Sequence, residues 1–411
     1  LFRHRLLHHI RADARMVAFV KPVRAGSWTS GDTAVRLTGN SIDSMEYALG
    51  LAKLALGYTS PNPAVGAVLV KDGEIVGTGY TQPAGFAHAE IMALNQAGSR
   101  ARGATLFVTL EPCCHYGRTP PCTRALIEAG VAEVHAAMID PNPRVNGRGM
   151  AELERAGIKV QVGEYEDRAR EINEAYIKWI TTGLPFVTAK FAMSLDGKIA
   201  TRSADSKWIS SEEARNYVHT LRYTVDAVMV GVNTVLVDNP RLTARRIGRG
   251  GTTTHQPLRV VVDSRGRTPL SANLFKEPGK TMIAVAQPLD REKADGMARL
   301  GVEVVELRAD DGMVDLERLL RALGERQITS VLVEGGSSLL GSLFDCRLID
   351  KVMAFVAPLI IGGDGARTAV GGNGVERVSA AFRCERVKVE RFGDDVLISG
   401  YLPARSRCSQ A

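Results

Sequence analysis

The sequence predicts a layered α/β protein of two domains. At 411 residues the chain exceeds what one ordinary hydrophobic core accommodates. Short apolar, β-branched runs alternate with helix-period segments along most of its length, the pattern of sheets covered by helices. One charged helical stretch, 164–182, ends in Thr182-Gly183-Leu184-Pro185, a composition suited to a joint between domains. The expected organisation is therefore a disordered extension over 1–40, a first domain over 41–164, a helical linker over 165–184, a second domain over 185–405 and a tail over 406–411.

Composition narrows the function classes. The chain is 45% hydrophobic and 24% charged and has no apolar run long enough to span a bilayer, so a soluble protein without a membrane partner is expected. The formal charge of +7 is concentrated at the start, where residues 1–40 hold seven Lys or Arg against Asp13 and Asp32. That leaves only about +2 on the other 371 residues, too little for a nucleic-acid-binding surface. Three of the six cysteines crowd into 113–122, unlike a disulfide framework, and a reducing, cytoplasmic compartment fits.

The elements follow in order. Met45, Ala48, Leu49, Ala52 and Leu56 share one helical face behind a cap at Ser41 or Asp43. Asn62-Pro63 breaks that helix, and strands at 65–70 and 74–80 flank the hairpin turn Asp72-Gly73. His88 opens a helix to Ala97, a strand over 105–110 delivers Glu111-Pro112-Cys113, and Cys122 opens a helix to Ala129. A strand at 131–139, a helix at 150–156 and a strand at 159–162 complete the first domain. The second has strands at 186–193, 227–230, 259–262, 281–285, 302–307 and 330–333, helices at 211–222, 314–323 and 337–344, and a closing hairpin around Gly393-Asp394-Asp395.

One constellation carries chemistry. His88, Cys113 and Cys122 supply three of the four tetrahedral positions that zinc prefers and leave one open, as in catalytic rather than structural sites. Glu90 completes the H-x-E…P-C…C order in which a glutamate moves protons without binding metal, although eight residues rather than two separate the cysteines. Cys114 is a competing thiolate, and Cys114 or His115 could complete a purely structural site. Elsewhere, Glu334-Gly335-Gly336-Ser337-Ser338 follows an apolar strand and opens a helix, so its amides can meet a pyrophosphate. No G-x-G-x-x-G follows a strand, which argues against an ordinary Rossmann site.

Across both domains these motifs, with Ser60-Pro61-Asn62-Pro63, Asp140-Pro141-Asn142-Pro143, Ser194-Leu195-Asp196-Gly197-Lys198, Ser206-Lys207-Trp208-Ile209 and Asp238-Asn239-Pro240, resemble the bifunctional riboflavin-biosynthesis deaminase/reductase family. The resemblance implies a cytidine-deaminase-like three-layer domain followed by a dihydrofolate-reductase-like α/β domain. It implies deamination of a phosphorylated diaminopyrimidine with one zinc ion, then reduction of its ribosyl group with NADPH. Asn62, His115 and Arg118 would contact substrate in the first domain, and Ser206, Arg222, Arg245 and Glu334 in the second. Ala192, Trp208, Thr234, Asp238, Ser264 and the Gly335–Ser338 turn would contact NADPH, with Lys190 nearest the reacting sugar. The loop Gly231-Val232-Asn233-Thr234 carries asparagine where the family commonly has glycine. The resemblance also implies a homo-oligomer formed through the reductase domain. Two other readings are a deaminase of nucleic-acid bases and a zinc-holding scaffold with an inert second half.

Overall fold

The structure is a computed structural model that describes residues 35–36, 43–246, 251–252 and 255–403. It divides into two compact units after Ile177, a point inside the expected linker. The expected extension over 1–40 lies outside the described residues except for Val35–Arg36, and the expected tail over 406–411 lies wholly outside them.

The first unit is one mixed sheet with helices packed on it. Its strands are β1 (Val35–Arg36), β2 (Gly66–Lys71), β3 (Glu74–Tyr80), β4 (Thr105–Val108), β5 (Glu133–Ala136) and β6 (Lys159–Val162), in the order β1-β3-β2-β4-β5-β6. Its helices are α1 (Ser44–Ala55), α2 (Ala89–Ala97), α3 (Cys122–Ala129), α4 (Arg148–Arg155) and α5 (Glu166–Ile172). Edge strand β1 lies where only a disordered extension is expected, with Val35 opposite Ile75. Asp43 rather than Ser41 caps α1, accepting from the amides of Met45 and Glu46 at 3.0 Å. Asp72 and Gly73 both have positive φ, as a two-residue hairpin turn requires.

Three glycines set how closely helices approach this sheet. A Cβ on Gly66 would lie 1.9 Å from the Ala48 carbonyl oxygen of α1. On Gly77 and Gly79 of β3 it would lie 2.2 Å from the carbonyl oxygens of Ala93 and Ala89 in α2. Backbone-to-backbone contact therefore seats α2, and α2 begins at His88.

Helix α6 (Glu174–Thr182) follows α5 and contains the division between the units. In place of one charged helical stretch there are two helices, broken at Asn173, whose buried side chain accepts from the Ala64 amide at 2.8 Å and donates to the Ala64 carbonyl at 3.1 Å.

The second unit is built on a nine-stranded sheet. Its strands are β7 (Phe186–Ser194), β8 (Ala227–Gly231), β11 (Leu258–Val262), β12 (Thr281–Val285), β13 (Glu303–Glu306), β14 (Ser330–Val333), β15 (Lys351–Ala357), β16 (Glu385–Phe392) and β17 (Asp395–Tyr401), in the order β13-β12-β11-β8-β14-β7-β15-β17-β16. Strands β9 (Arg245–Arg246) and β10 (Gly251–Thr252) form a separate ribbon. The pairs from β13 to β15 are parallel, and β17 and β16 close the sheet antiparallel. Helices α7 (Glu212–Thr224), α8 (Val232–Asp238), α9 (Arg291–Arg299), α10 (Leu316–Glu325) and α11 (Ser337–Asp345) join them. Leu319, Leu320 and Leu323 of α10 are buried against Val187, Val260 and Met282, each such side chain contributing about 1.5–3 kcal/mol on removal from water.

Helices α8 and α9 and strand β15 are not among the expected elements. The parallel order puts the carboxyl ends of β7, β8, β11 and β14 side by side, and ligands of α/β sheets bind in crevices at such ends. Among the described residues, no helix is long and apolar enough to cross a membrane.

Candidate active sites

In the first unit, His88 is the N-cap of α2, Cys113 follows the end of β4 and Cys122 is the first residue of α3. Their ligating atoms lie within 4.8 Å of one another. Both sulfurs face the same ring nitrogen, His88 Nδ1, at 3.6 Å from Cys113 and 3.3 Å from Cys122. Thr119, which the sequence gives no reason to single out, meets the ring's other nitrogen, with Oγ1 3.2 Å from Nε2.

The donor set fits zinc. Hydrogen bonds from Cys122 and His88 hold the Cys113 thiol well below its ordinary range, which favours the thiolate that a metal needs. The Cys122 amide also donates to it at 3.4 Å. Cys114 is not in the cluster: its sulfur is directed to the Arg144 carbonyl at 3.9 Å, and burial pushes its thiol up. Among the described residues, neither Cys114 nor His115 joins the three-ligand cluster.

Glu90 is buried in the first turn of α2, and desolvation pushes its carboxyl above the ordinary range. Asn62 follows the Thr59 turn and immediately precedes the Pro63-Ala64 segment that Asn173 clamps. His115 is half-buried with a buried Nδ1 that has no hydrogen-bond partner within the protein, and Arg118 is exposed two residues beyond Tyr116.

Glu111 has a part that the sequence reading missed. Its buried carboxylate accepts from the amides of Asp140, Gly147, Gly149 and Met150 at 3.1, 2.9, 2.8 and 3.3 Å. It thereby ties the 140–150 loop against Pro112-Cys113, where a Cβ on Gly149 would lie 2.2 Å from the Pro112 carbonyl oxygen. Asp140 is held in turn by the Tyr176 hydroxyl at 2.9 Å.

In the second unit, a cavity of about 770 Å³ opens over the carboxyl ends of the parallel strands. Of the expected residues it is lined by Lys190, Ala192, Ser206, Trp208, Arg222, Thr234, Asp238, Arg245, Glu334, Gly335, Gly336 and Ser337. Ser264 and Ser338 do not line it; the Ser264 hydroxyl accepts from the Val314 amide at 3.1 Å, and Ser338 is exposed.

Arg222 and Glu334, each expected to contact substrate, contact each other through two parallel hydrogen bonds, with Nη2 to Oε2 at 2.7 Å. Arg222 also donates to the Thr243 carbonyl at 3.2 Å. Lys190 extends from β7 toward this pair, with its ammonium 5.6 Å from the Phe355 ring centroid. Burial, aided by Arg222 and opposed by Glu334, holds the Lys190 ammonium below the ordinary lysine range. Ser206 donates to Asp238 at 2.9 Å, and Trp208 lies exposed under the Arg215 guanidinium at 4.6 Å.

Gly335 and Gly336 fit a dinucleotide pyrophosphate. Their φ values of 128° and 86° are open to glycine alone without strain, and a Cβ on Gly336 would lie 3.5 Å from the Gly231 nitrogen and 3.6 Å from Thr234 Oγ1. The turn is thus a bare cradle between the starts of α8 and α11.

Comparison with known proteins places both units. The RibD C-terminal domain family matches residues 185–398, and the cytidine and deoxycytidylate deaminase zinc-binding region matches residues 40–138. The riboflavin biosynthesis protein RibD of Aquifex aeolicus is 44% identical over 354 residues, covering 86% of this chain and 96% of that protein. The chain belongs to the RibD family. The Escherichia coli RibD is 41% identical over 362 residues, covering 86% of this chain and 97% of its own length. The solved structure of Acinetobacter baumannii RibD superposes with a TM-score of 0.79 at 39% identity, covering 88% of this chain and 98% of that one. A Thermotoga maritima structure, described as a diaminohydroxyphosphoribosylaminopyrimidine deaminase/5-amino-6-(5-phosphoribosylamino)uracil reductase, gives 0.75 at 36% identity, with 88% and 98% covered.

The chain is accordingly a bifunctional deaminase/reductase of riboflavin biosynthesis, with a cytidine-deaminase-like unit that takes zinc and a dihydrofolate-reductase-like unit that uses NADPH. It acts on a small molecule, and the nucleic-acid and scaffold readings fall away.

Proposed function

We propose that the first unit hydrolyses the 2-amino group of 2,5-diamino-6-ribosylamino-4(3H)-pyrimidinone 5′-phosphate. The second unit then reduces the ribosyl side chain of the product to ribityl, giving 5-amino-6-ribitylaminouracil 5′-phosphate. The observation that carries the first step is the convergence of His88, Cys113 and Cys122 beside buried Glu90. Zinc, when bound there, supplies a nucleophile of hydroxide strength near neutral pH. Glu90 takes one proton of the attacking water and delivers it to the ring nitrogen, then carries the second, from the hydroxyl so formed, to the amine that departs as ammonia. Its burial supports this, since desolvation raises the carboxyl above its ordinary range and so strengthens its hold on a proton in transit. Asn62 orients the pyrimidine, while His115 and Arg118 hold the phosphate.

For the second step, NADPH supplies hydride to the sugar carbon. Gly335, Gly336 and Ser337 seat the pyrophosphate, and Ala192, Trp208, Thr234 and Asp238 line the cofactor's path. Ser206, Arg222, Arg245 and Glu334 face the substrate. Lys190 delivers the proton that the ring oxygen gains on opening, a role that its lowered proton affinity supports.

The chain associates with itself through the reductase unit, where Val387 and Val389 on edge strand β16 and Ile398 on β17 are exposed. Sedimentation at graded concentrations checks this, and a monomer throughout would refute it. For the reactions, the diaminopyrimidine ribotide is incubated with and without NADPH and the masses followed. Exchange of amine for oxygen without cofactor, then gain of two hydrogens only with it, is the expected result. A gain of hydrogen before loss of the amine would overturn the order.

A further inference from the structure

The eight residues between Cys113 and Cys122 do more than part the two cysteines. In a C-x-x-C spacing the position three residues before the second cysteine is the first cysteine itself. Here that position is Thr119. A residue that precedes a proline is confined to extended backbone, and Thr119 precedes Pro120-Pro121, of which Pro121 is the N-cap of α3. The Gly117 amide donates to the Thr119 carbonyl at 3.2 Å and closes the tip of the loop on the same residue. Thr119 is therefore joined to Cys122 by a stiff link of two prolines.

That segment grips one imidazole at both nitrogens. Cys122 Sγ lies 3.3 Å from His88 Nδ1, and Thr119 Oγ1 lies 3.2 Å from Nε2. It also reaches Cys113, whose sulfur accepts from the Cys122 amide at 3.4 Å and whose carbonyl accepts from the Thr123 amide at 3.2 Å. Both sulfurs face Nδ1, so a zinc ion shared with them takes its electron pair from that nitrogen. The single proton of the neutral ring then sits on Nε2 and is donated to the Thr119 hydroxyl. A ligating histidine whose other nitrogen donates in this way is fixed in tautomer and ring orientation, and it is the more basic ligand for it.

We infer that Thr119 is a positioning residue of the zinc site, which holds the His88 ring by Nε2 and which the inserted loop supplies. This rests on the reading of His88, Cys113 and Cys122 as the ligands of zinc. It gives the loop a duty toward the metal that is separate from the contacts of His115 and Arg118 with the substrate's phosphate.

Competition between the full chain and a chromophoric chelator for zinc tests the inference without recourse to turnover. Thr119→Val, which keeps the branched shape and removes the hydroxyl, is expected to weaken zinc binding by about 10–100-fold, the usual cost of losing an outer partner of a metal site. Thr119→Ser, which keeps the hydroxyl, should stay near the parent. Cobalt in place of zinc gives a second readout: its d–d absorption bands report donor strength and geometry, and they should shift in Thr119→Val but not in Thr119→Ser. Far-ultraviolet circular dichroism, unchanged across the series, shows that the chain remains folded. Zinc affinity and cobalt bands in Thr119→Val equal to those of the parent would overturn the inference. An affinity lost equally in both variants would overturn it too, since the loop would then matter for its packing alone. Cys122→Ser examines the underlying reading separately: if it holds zinc as tightly as the parent, the ligands lie elsewhere, whatever Thr119 does.

Discussion

Arg222 and Glu334, 112 residues apart in sequence, meet in a two-pronged ion pair whose side chains are only 15% and 6% exposed. Glu334 directly follows β14 and Arg222 lies in the last turn of α7, so the pair fixes the helix to the floor of the reductase cavity. Removing one partner leaves the other charge buried and unpaired, which costs about 3–5 kcal/mol. Glu334→Ala is expected to lower the stability of the reductase unit by roughly that amount in urea unfolding. The double replacement Arg222→Met/Glu334→Met should restore most of the stability but not the reduction.

The zinc site separates holding from reacting. His88→Ala and Cys122→Ser should lose metal, read by elemental analysis, and deamination with it. Glu90→Gln should keep its zinc and lose deamination by about 10²–10⁴-fold, the range for a displaced proton carrier. Reduction of pre-deaminated substrate should be normal in all three.

Glu111 offers a test of support at a distance. Its carboxylate touches none of the three metal ligands' sulfurs or ring nitrogens but accepts four amides of the loop packed on Pro112-Cys113. Glu111→Ala should weaken zinc retention against a chelator by about 10–100-fold, the usual cost of losing an outer partner of a metal site.

Lys190 sets a pH dependence. Its folded proton affinity lies below the ordinary lysine value of 10.5, chiefly through burial. In the proposed role of proton donor, its loss of charge should give reduction an alkaline limb that falls off below that value. The linkage sign is opposite for stability. Between the folded and unfolded values the unfolded chain binds more protons, so the lysine's burial penalty is present at lower pH and is relieved as pH rises through the folded value. Lys190→Met should abolish the limb along with the reaction and remove that part of the pH dependence of unfolding, with deamination unaffected.

Much of this was legible in the sequence because local rules set it. His88 opens α2, Cys122 opens α3 and Asp72-Gly73 turns the first hairpin, each from chemistry within a few residues. What escaped depends on partners far along the chain. Glu111 reads as an ordinary acid until amides 29 to 39 positions later fold over it. Arg222 and Glu334 each read as a ligand for substrate, and only the packing of α7 on β14 pairs them. Helix α8 has seven residues, too few for a helical period to stand out from the strand before it.

The three zinc ligands come from a helix start, a strand end and a second helix start, and β3 admits α2 only through bare glycine backbone. No single segment of the chain can hold the metal by itself. Zinc uptake is then coupled to the assembly of this unit, and metal content becomes one gauge of native packing. A batch in which α2, β4 and α3 had not been brought together would show itself by missing zinc.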